Sequence, residues 1–242
     1  MHQFEINRIF EFPLFGFDAS FTNASLFMVI ALIAIVGLML WAVSPRALVP
    51  GRAQSVAELL YEYVASMVRE NVGDEGMKYF PWIFTIFIFV LTLNMIGMIP
   101  YSFTVTSHII VTFALAAMVW IVVTVLGFMK HGVGFLKLFL PSGLPFWLIP
   151  VIVPIELISY LIRPISHSVR LFANMMAGHT MLKVFGGFIV SFATAGFGWA
   201  GIAPLGFMVA FTGLEFLVAF LQALIFAVLT CIYLNDALHM HH

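Results

Sequence analysis

Residues 146–197 constrain the fold more than any other stretch of the chain. The stretch is almost continuously apolar, although it contains six ionisable side chains: Glu156, Arg163, His167, Arg170, His179 and Lys183. A bilayer crossing needs about 20 residues, so the stretch is about twice as long as one upright span. An ionisable side chain in hydrocarbon costs about 3 kcal/mol by insertion scales. These side chains must therefore face water, one another or a partner.

Polar residues in this stretch recur at steps of four and three. They are Glu156, Tyr160, Arg163, His167, Arg170 and Asn174. At about 100° per residue, this spacing puts them on one stripe of a helix whose other directions are apolar. Pro150, Pro154 and Pro164 each remove a backbone donor and can bend the helix. We therefore expect a tilted, bent helix that lies partly along the membrane.

Two of the cations have simple structural interpretations. Arg163 lies seven residues from Glu156 and could form a structural ion pair with it. Lys183 lies nearly opposite the polar stripe, so we expect its amine to extend to the membrane surface. Asn174 and Gln222 could likewise be plain interhelical hydrogen-bonding residues.

Composition excludes a soluble domain. Of the 242 residues, 63% are hydrophobic and only 9% are charged, which indicates a polytopic membrane protein. The net charge of -1 gives no indication of a nucleic-acid partner. The single cysteine, Cys231, excludes an internal disulfide, and we expect it to be a small buried hydrophobic residue.

The apolar runs predict an all-α membrane domain, residues 1–242, with about five crossings and one interfacial helix. Its predicted parts are an N-terminal segment of low order at 1–23, spans at 24–43, 80–99 and 109–129, an amphipathic helix at 53–72, and a tilted helix hairpin at 146–234. The helix at 53–72 is too polar to span and should lie at the membrane surface or against a partner. Residues 101–108 should form a short polar turn, and Asn94 should bridge two helices.

Lysine and arginine are concentrated in two of the loops, 44–79 and 130–145. They are Arg46, Arg52, Arg69, Lys78, Lys130 and Lys137. The N-terminal segment has only Arg8, and the turn at 100–108 has no such residue. Cytoplasmic loops are enriched in positive charge, so we expect the N-terminus outside and the C-terminus inside.

The embedded side chains are suited to moving protons. Histidine and carboxylate groups in series can each take up and return a proton. Arginine cannot, because it does not deprotonate in proteins, so a lipid-facing arginine would instead hold a partner's carboxylate in its charged form. Four histidines near chain or helix ends are expected to be solvated, and none completes a metal site: His131, His239, His241 and His242.

Three segments resemble the subunit a family of F-type ATP synthases. They are ISHSVRLFANMMAGH at 165–179, NMIGMIPYSFTVTSH at 94–108 and LEFLVAFLQALIFAVLTCIYLNDA at 214–237. The first is long and specific, and the resemblance covers almost the whole chain. The pairing of His179 with Glu215 is similar to the alphaproteobacterial and mitochondrial type. Gly97 stands where some relatives carry an acid, so no proton role is expected there.

The resemblance implies a role for individual residues. Arg170 corresponds to the essential arginine that faces a rotor ring of c subunits. His179 and Glu215 correspond to a coupled pair in the half-channel through which protons enter, with Asn174 and Gln222 nearby. The half-channel through which protons leave would contain Glu156 and Asp236, with three polar neighbours: Tyr160, Arg163 and His167.

The function implied is that of a proton-translocating stator subunit without catalytic chemistry, cofactor or metal of its own. Its partners would be the c-ring, peripheral-stalk b subunits, other ATP synthase subunits, the lipid bilayer and the translocated protons. The membrane would be the bacterial inner (plasma) membrane or the mitochondrial inner membrane. A solute transporter would need a substrate cavity and usually an internal repeat, and a metalloenzyme would need clustered ligands. Neither pattern is visible, and no phosphate-binding loop motif occurs.

Overall fold

The computed structural model describes residues 8–10, 13–14, 17–18, 20–43, 51–99, 102–140 and 146–239. These residues contain six α-helices: α1 Asn23–Val43, α2 Arg52–Val72, α3 Phe80–Gly97, α4 Ile109–His131, α5 Ile149–Thr194 and α6 Ile202–Leu238. Shorter 3-10 helices lie at Asp74–Tyr79, Val105–Ser107, Gly132–Phe139, Phe146–Leu148 and Gly198–Gly201. The sequence-based predictions for Arg46, His241 and His242 fall outside the described residues.

Four short strands precede α1, where the sequence predicted a segment of low order. They are β1 Arg8–Phe10, β2 Pro13–Leu14, β3 Phe17–Asp18 and β4 Phe21–Thr22. β1 pairs with β4 and β2 pairs with β3, both antiparallel. Each strand has two or three residues, fewer than the four from which an alternating pattern can be read. The sequence pattern therefore could not predict them.

Five helical segments are long and apolar enough to cross a membrane. They are Asn23–Val43, Asp74–Gly97, Ile109–Leu136, Ile149–Thr194 and Gly198–Leu238. Large apolar side chains such as Ile33 and Leu40 are exposed on the outside of the bundle, as expected of a surface that contacts lipid. The predicted all-α, polytopic fold is confirmed.

The amphipathic helix α2 uses only part of its apolar stripe within the chain. Val64, Val68 and Val72 are buried in the main hydrophobic core, where α2 packs on α3 and α6. Val56 and Leu59, one to two turns earlier, are exposed. The first half of α2 therefore presents an apolar surface to something outside the chain.

The two longest helices, α5 and α6, form a hairpin. At 1.5 Å per residue, the 46 residues of α5 extend about 69 Å and the 37 residues of α6 about 56 Å. The hydrocarbon layer is about 30 Å thick, so each helix is roughly twice as long as an upright crossing needs. Gly196, with φ +80°, ends α5 in the left-handed region that favours glycine, and Phe197 N donates to Phe192 O across the turn.

Contacts between distant parts of the chain define two ends of the bundle. At one end, which we call the basic end, α4 and the segment before α3 meet the C-terminus of α6. There Lys130 Nζ lies 2.6 Å from Glu75 Oε2, and His131 Nε2 lies 3.2 Å from Leu238 O. His131 is therefore half-buried rather than fully solvated. At the opposite end, which we call the loop end, residues 102–108 pack against α3, α4 and α5. The described parts of the two loops rich in lysine and arginine thus lie at the same end as the C-terminus of α6.

Candidate functional site

The predicted polar stripe of α5 lies at the boundary between its buried and exposed faces. Tyr160 and His167 are buried, with 6% and 3% of their surface exposed, whereas Arg170 is exposed. Half-buried members of the stripe are Glu156, Arg163 and Asn174. At about 100° per residue, Tyr160 and His167 fall on one edge of the stripe and Arg170 on the other. The structure therefore divides the stripe between an inward and an outward face.

Arg170 is exposed on the outward side of α5. Its neighbours on the same side of α5 are small and exposed: Ser159, Ser166, Ala173 and Ala177. Leu171 and Met175, on the other side, are almost completely buried. Within the part of the chain that the structure describes, no hydrogen bond or ion pair engages the Arg170 guanidinium. Its charge is available to a group on another molecule.

His179 and Glu215 meet between α5 and α6. His179 Nδ1 lies 3.5 Å from Glu215 Oε1, and the two side chains are 9% and 4% exposed. This separation is slightly longer than a hydrogen bond, so a small approach of the two side chains would let a proton pass between them. The structure thus brings together the two residues that the resemblance paired.

Gly178 provides the space for the Glu215 carboxyl group. A Cβ atom at position 178 would lie 2.5 Å from Glu215 Oε1 and 2.9 Å from Cδ. No residue larger than glycine fits unless the carboxyl group moves. Small residues at this point in the sequence could equally have faced another chain, so their spacing alone did not identify this contact.

The segment 102–108 is buried, although its sequence predicted a short polar turn. Its hydroxyl residues are at most 8% exposed: Ser102, Thr104, Thr106 and Ser107. Thr104 Oγ1 lies 3.1 Å from His179 Nε2 and also donates to Gly97 O at 3.3 Å. Sequence reasoning missed Thr104 as a site residue. The sequence did contain a signal for a buried polar segment, because this loop between two apolar spans has many hydroxyl groups and no lysine, arginine, aspartate or glutamate.

Lys183 lies one helical turn after His179. Its Nζ atom is buried, so the expectation that the amine extends to the membrane surface is wrong. The buried cluster at the loop end thus contains an amine in addition to the imidazole and the carboxyl group.

A second polar cluster lies at the basic end. Arg163 Nη1 donates to Asp236 Oδ2 at 2.8 Å, which joins α5 to α6. The guanidinium also lies over the rings of Tyr160 and Tyr233, 5.3 Å and 5.1 Å from their centroids. Tyr160 Oη is in turn 2.6 Å from Thr124 Oγ1 of α4. The ion-pair partner of Arg163 is therefore Asp236 and not Glu156.

The groove beside this cluster is open on the outward side of α5. Its volume is about 460 Å³. The residues that line it are Ile155, Ile158, Ser159, Ile162, Arg163, Ser166 and Tyr233. The groove therefore connects the Arg163–Asp236 cluster with the outward face that carries Arg170.

Other predicted residues lie between the two clusters. Gln222 is buried on α6, and Asn94 Nδ2 donates to Ala219 O at 3.2 Å, so Asn94 bridges α3 and α6 as predicted. His167 packs on Phe226, with ring centroids 3.8 Å apart. Cys231 is fully buried, as predicted.

The two clusters are separated along α5. Arg163 and His179 are 16 positions apart, which corresponds to roughly 24 Å at 1.5 Å per residue, and Arg170 lies between them. The described residues contain no group of three or more histidine, cysteine, aspartate or glutamate side chains that could hold a metal ion. The chemistry that this arrangement supports is proton exchange at two separate places.

Comparison with known proteins gives matches over nearly the whole chain. The family model described as ATP synthase A chain matches residues 25–235. A protein named ATP synthase subunit a from Maricaulis maris (strain MCS10) is 58% identical over 250 residues, which cover 99% of this chain and 97% of that protein. Proteins of the same name from Allorhizobium ampelinum and Pelagibacter ubique are 60% and 59% identical, covering 98% and 100% of this chain and 96% and 98% of their own lengths. The residues matched by the family model include Arg170 and, apart from Asp236, both polar clusters.

Proposed function

The chain belongs to the ATP synthase A chain family, whose members take part in proton translocation in the Fo sector, and we propose that it conducts protons through two offset half-channels separated by Arg170. The resemblance identified from the sequence is thereby confirmed. In the proposal, the chain is the stator element beside a ring of c subunits. ATP chemistry is carried out by other subunits of the complex.

The outward position of Arg170 is the observation that carries the proposal. A permanently charged guanidinium on the surface of a membrane-spanning helix is costly unless it meets an opposite charge. An ionised carboxylate on a passing c subunit would supply that charge. Exposed Ser166 and Ala173, close to Arg170, leave room for a neighbouring helix to approach. Arg170 would attract each carboxylate that has lost its proton and prevent direct proton flow between the half-channels.

The cluster at the loop end is our candidate for the half-channel through which protons enter. The contact between His179 and Glu215, buried between α5 and α6, supports a relay in which one group passes a proton to the other. Gln222 and Asn174, towards Arg170, would continue the polar path to the ring. A c-subunit carboxylate that receives this proton becomes neutral, and its transfer into lipid then costs much less.

The half-channel through which protons leave is proposed at the basic end. Glu156 is half-buried on α5, and Asp236 lies in the ion pair with Arg163. Tyr160 is buried beside them, and His167 is buried about two helical turns farther along α5. In this proposal, water in the groove along Ser159 and Ser166 receives the proton from the ring. The driving force would be about 2.3 kcal/mol per charge for each 100 mV, plus the contribution of the pH difference.

The proposed orientation follows from the distribution of lysine and arginine. The basic end would face the cytoplasm of a bacterium or the mitochondrial matrix, with the C-terminus inside and the N-terminus outside. The ring of c subunits would contact the outward face of α5. The exposed apolar start of α2, at Val56 and Leu59, is our candidate contact for the b subunits.

Disulfide cross-linking tests the proposed rotor contact. In the intact complex, Ser166→Cys and Ala177→Cys should form disulfides with a cysteine placed on the outer helix of the c subunit. Ile165→Cys is the matched control, because Ile165 is also exposed but lies about 140° around α5 from Arg170. Cross-linking from position 165 but not from 166 or 177 would contradict the proposal.

A further inference from the structure

The hydrogen bonds of Thr104 restrict where the proton of the His179 imidazole can lie. Thr104 is 1% exposed, and its hydroxyl oxygen has two polar neighbours. One is Gly97 O at 3.3 Å, which can only accept a hydrogen bond. The other is His179 Nε2 at 3.1 Å, which donates or accepts according to the tautomer. A hydroxyl group has a single hydrogen, so it can donate to only one of these neighbours.

Both contacts are satisfied by a single arrangement. The Thr104 hydroxyl donates to Gly97 O, and His179 Nε2–H donates to Thr104 Oγ1. A neutral imidazole carries one ring proton, so Nδ1 is then the unprotonated ring nitrogen. Nδ1 is also the ring nitrogen that lies 3.5 Å from Glu215 Oε1.

We propose that Thr104 is a positioning residue that keeps His179 protonated at Nε2, so that Nδ1 and the Glu215 carboxyl group share a single exchangeable proton. The inference rests on the proposed role of His179 and Glu215 in proton entrance and adds a residue to that site. An incoming proton binds Nδ1 and makes the imidazolium. Nδ1–H then transfers this proton to the Glu215 carboxylate. The products are neutral imidazole, still protonated at Nε2, and neutral carboxylic acid.

The surroundings of Thr104 hold its hydroxyl group in place. Ser107 Oγ donates to Thr104 O at 2.6 Å, which anchors the backbone of the residue. A Cβ atom at Gly97 would lie 2.8 Å from Thr104 Cγ2, so glycine at the end of α3 allows this approach. Gly97, for which the sequence indicated no proton role, thus supplies both the space and the accepting carbonyl group.

Without the Thr104 hydroxyl, His179 can adopt the tautomer that is protonated at Nδ1. That tautomer presents an N–H group to Glu215 and has its lone pair on Nε2, which faces away from the carboxyl group. A proton arriving at Nε2 cannot reach Glu215 directly. Loss of the hydroxyl should therefore slow proton delivery without changing the net charge of the cluster.

Two substitutions in the intact complex separate this role from simple packing. Thr104→Val keeps the shape of the side chain and removes the hydroxyl group, whereas Thr104→Ser keeps the hydroxyl group and removes a methyl group. Passive proton conduction through Fo in vesicles stripped of the catalytic sector should fall roughly 10-fold or more in Thr104→Val. It should stay within about twofold of wild type in Thr104→Ser. Equal conduction in the two variants would overturn the proposal.

The tautomer is measured directly by ¹⁵N-histidine solid-state NMR of the purified complex. The His179 signals are identified by their loss in His179→Gln. They should show the neutral, Nε2-protonated imidazole in wild type and Thr104→Ser, and a changed tautomer population in Thr104→Val. An Nδ1-protonated ring in wild type would overturn the proposal by itself, even if Thr104→Val failed to assemble.

Glu215→Gln in the same conduction assay distinguishes this inference from the proposed function. Unchanged conduction in Glu215→Gln would reject the entrance half-channel as a whole. Strong loss in Glu215→Gln together with normal conduction in Thr104→Val would reject only the role of Thr104.

Discussion

Gly178 and Glu215 are packed so closely that a side chain at position 178 would overlap the carboxyl group. A Cβ atom at position 178 would lie 2.5 Å from Glu215 Oε1. The position of the carboxyl group relative to His179 therefore depends on a residue that itself has no polar side chain.

Gly178→Ala should impair proton conduction because the new methyl group displaces the Glu215 carboxyl group from His179. Overpacking of this kind typically costs about 1–3 kcal/mol. ATP-driven proton pumping in inverted membrane vesicles measures the effect. Gly187→Ala is the matched control, since a Cβ atom there has no neighbour within 4 Å. Equal pumping by the two variants would show that the contact is unimportant.

Arg170→Ala should abolish coupled ATP synthesis and ATP-driven proton pumping. Loss of a charged group in a water-excluded site can lower a rate by about two orders of magnitude or more. Both activities are measured in reconstituted vesicles with c-ring content determined in parallel. Val169→Ala, at the adjacent exposed position, should retain activity. Coupled synthesis by fully assembled Arg170→Ala complexes would exclude the proposed role of Arg170.

Glu215→Gln should slow proton flux much more than it reduces assembly. The amide has nearly the same shape as the carboxyl group but cannot accept and release a proton, which typically costs about 100-fold or more. The measurement is passive proton conduction normalised to the amount of this chain that co-purifies with the ring. Glu62→Gln, on the exposed side of α2, serves as the control. A normal flux would remove Glu215 from the proton path.

Asp236→Asn should weaken the attachment of α6 to α5 at the basic end. The Arg163–Asp236 pair is partly exposed, with side chains 21% and 33% accessible, so we expect a coupling energy of about 1 kcal/mol. A double-mutant cycle with Arg163→Gln, read by thermal denaturation of the purified complex, measures that energy. The Lys130–Glu75 pair, which is more exposed, should give a smaller value. Strictly additive losses for Arg163→Gln and Asp236→Asn would indicate that the ion pair contributes nothing.

The sequence predicted the helical architecture because its spans are long and strongly apolar. It also predicted the polar stripe of α5, but not how the stripe divides. The steps of four and three spread its members over about 80° of the helix surface, which is wide enough to cross from a buried face to an exposed one. Only the structure shows which side of α5 packs on α6, and therefore that His167 is buried whereas Arg170 is exposed.

The partners of individual residues depend on how distant segments pack together. Glu156 and Arg163 are two helical turns apart, or roughly 10 Å along the axis, whereas Asp236 is brought beside Arg163 by the hairpin. Thr104 and His179 are 75 positions apart and meet because the loop 102–108 enters the bundle. No periodicity within one helix contains that information. The membrane orientation and the roles of the site residues stay predictions.

The separation of the two polar clusters along α5 has an electrical consequence. If water reaches each cluster from its own side, most of the membrane voltage falls across the insulating layer that surrounds Arg170. Because that layer is thinner than the hydrocarbon film of about 30 Å, it would experience a proportionally stronger field at the same voltage. Most of the electrical work of moving a charge across the membrane would then be done within this layer. The position of the Arg170 side chain would therefore respond to the membrane voltage.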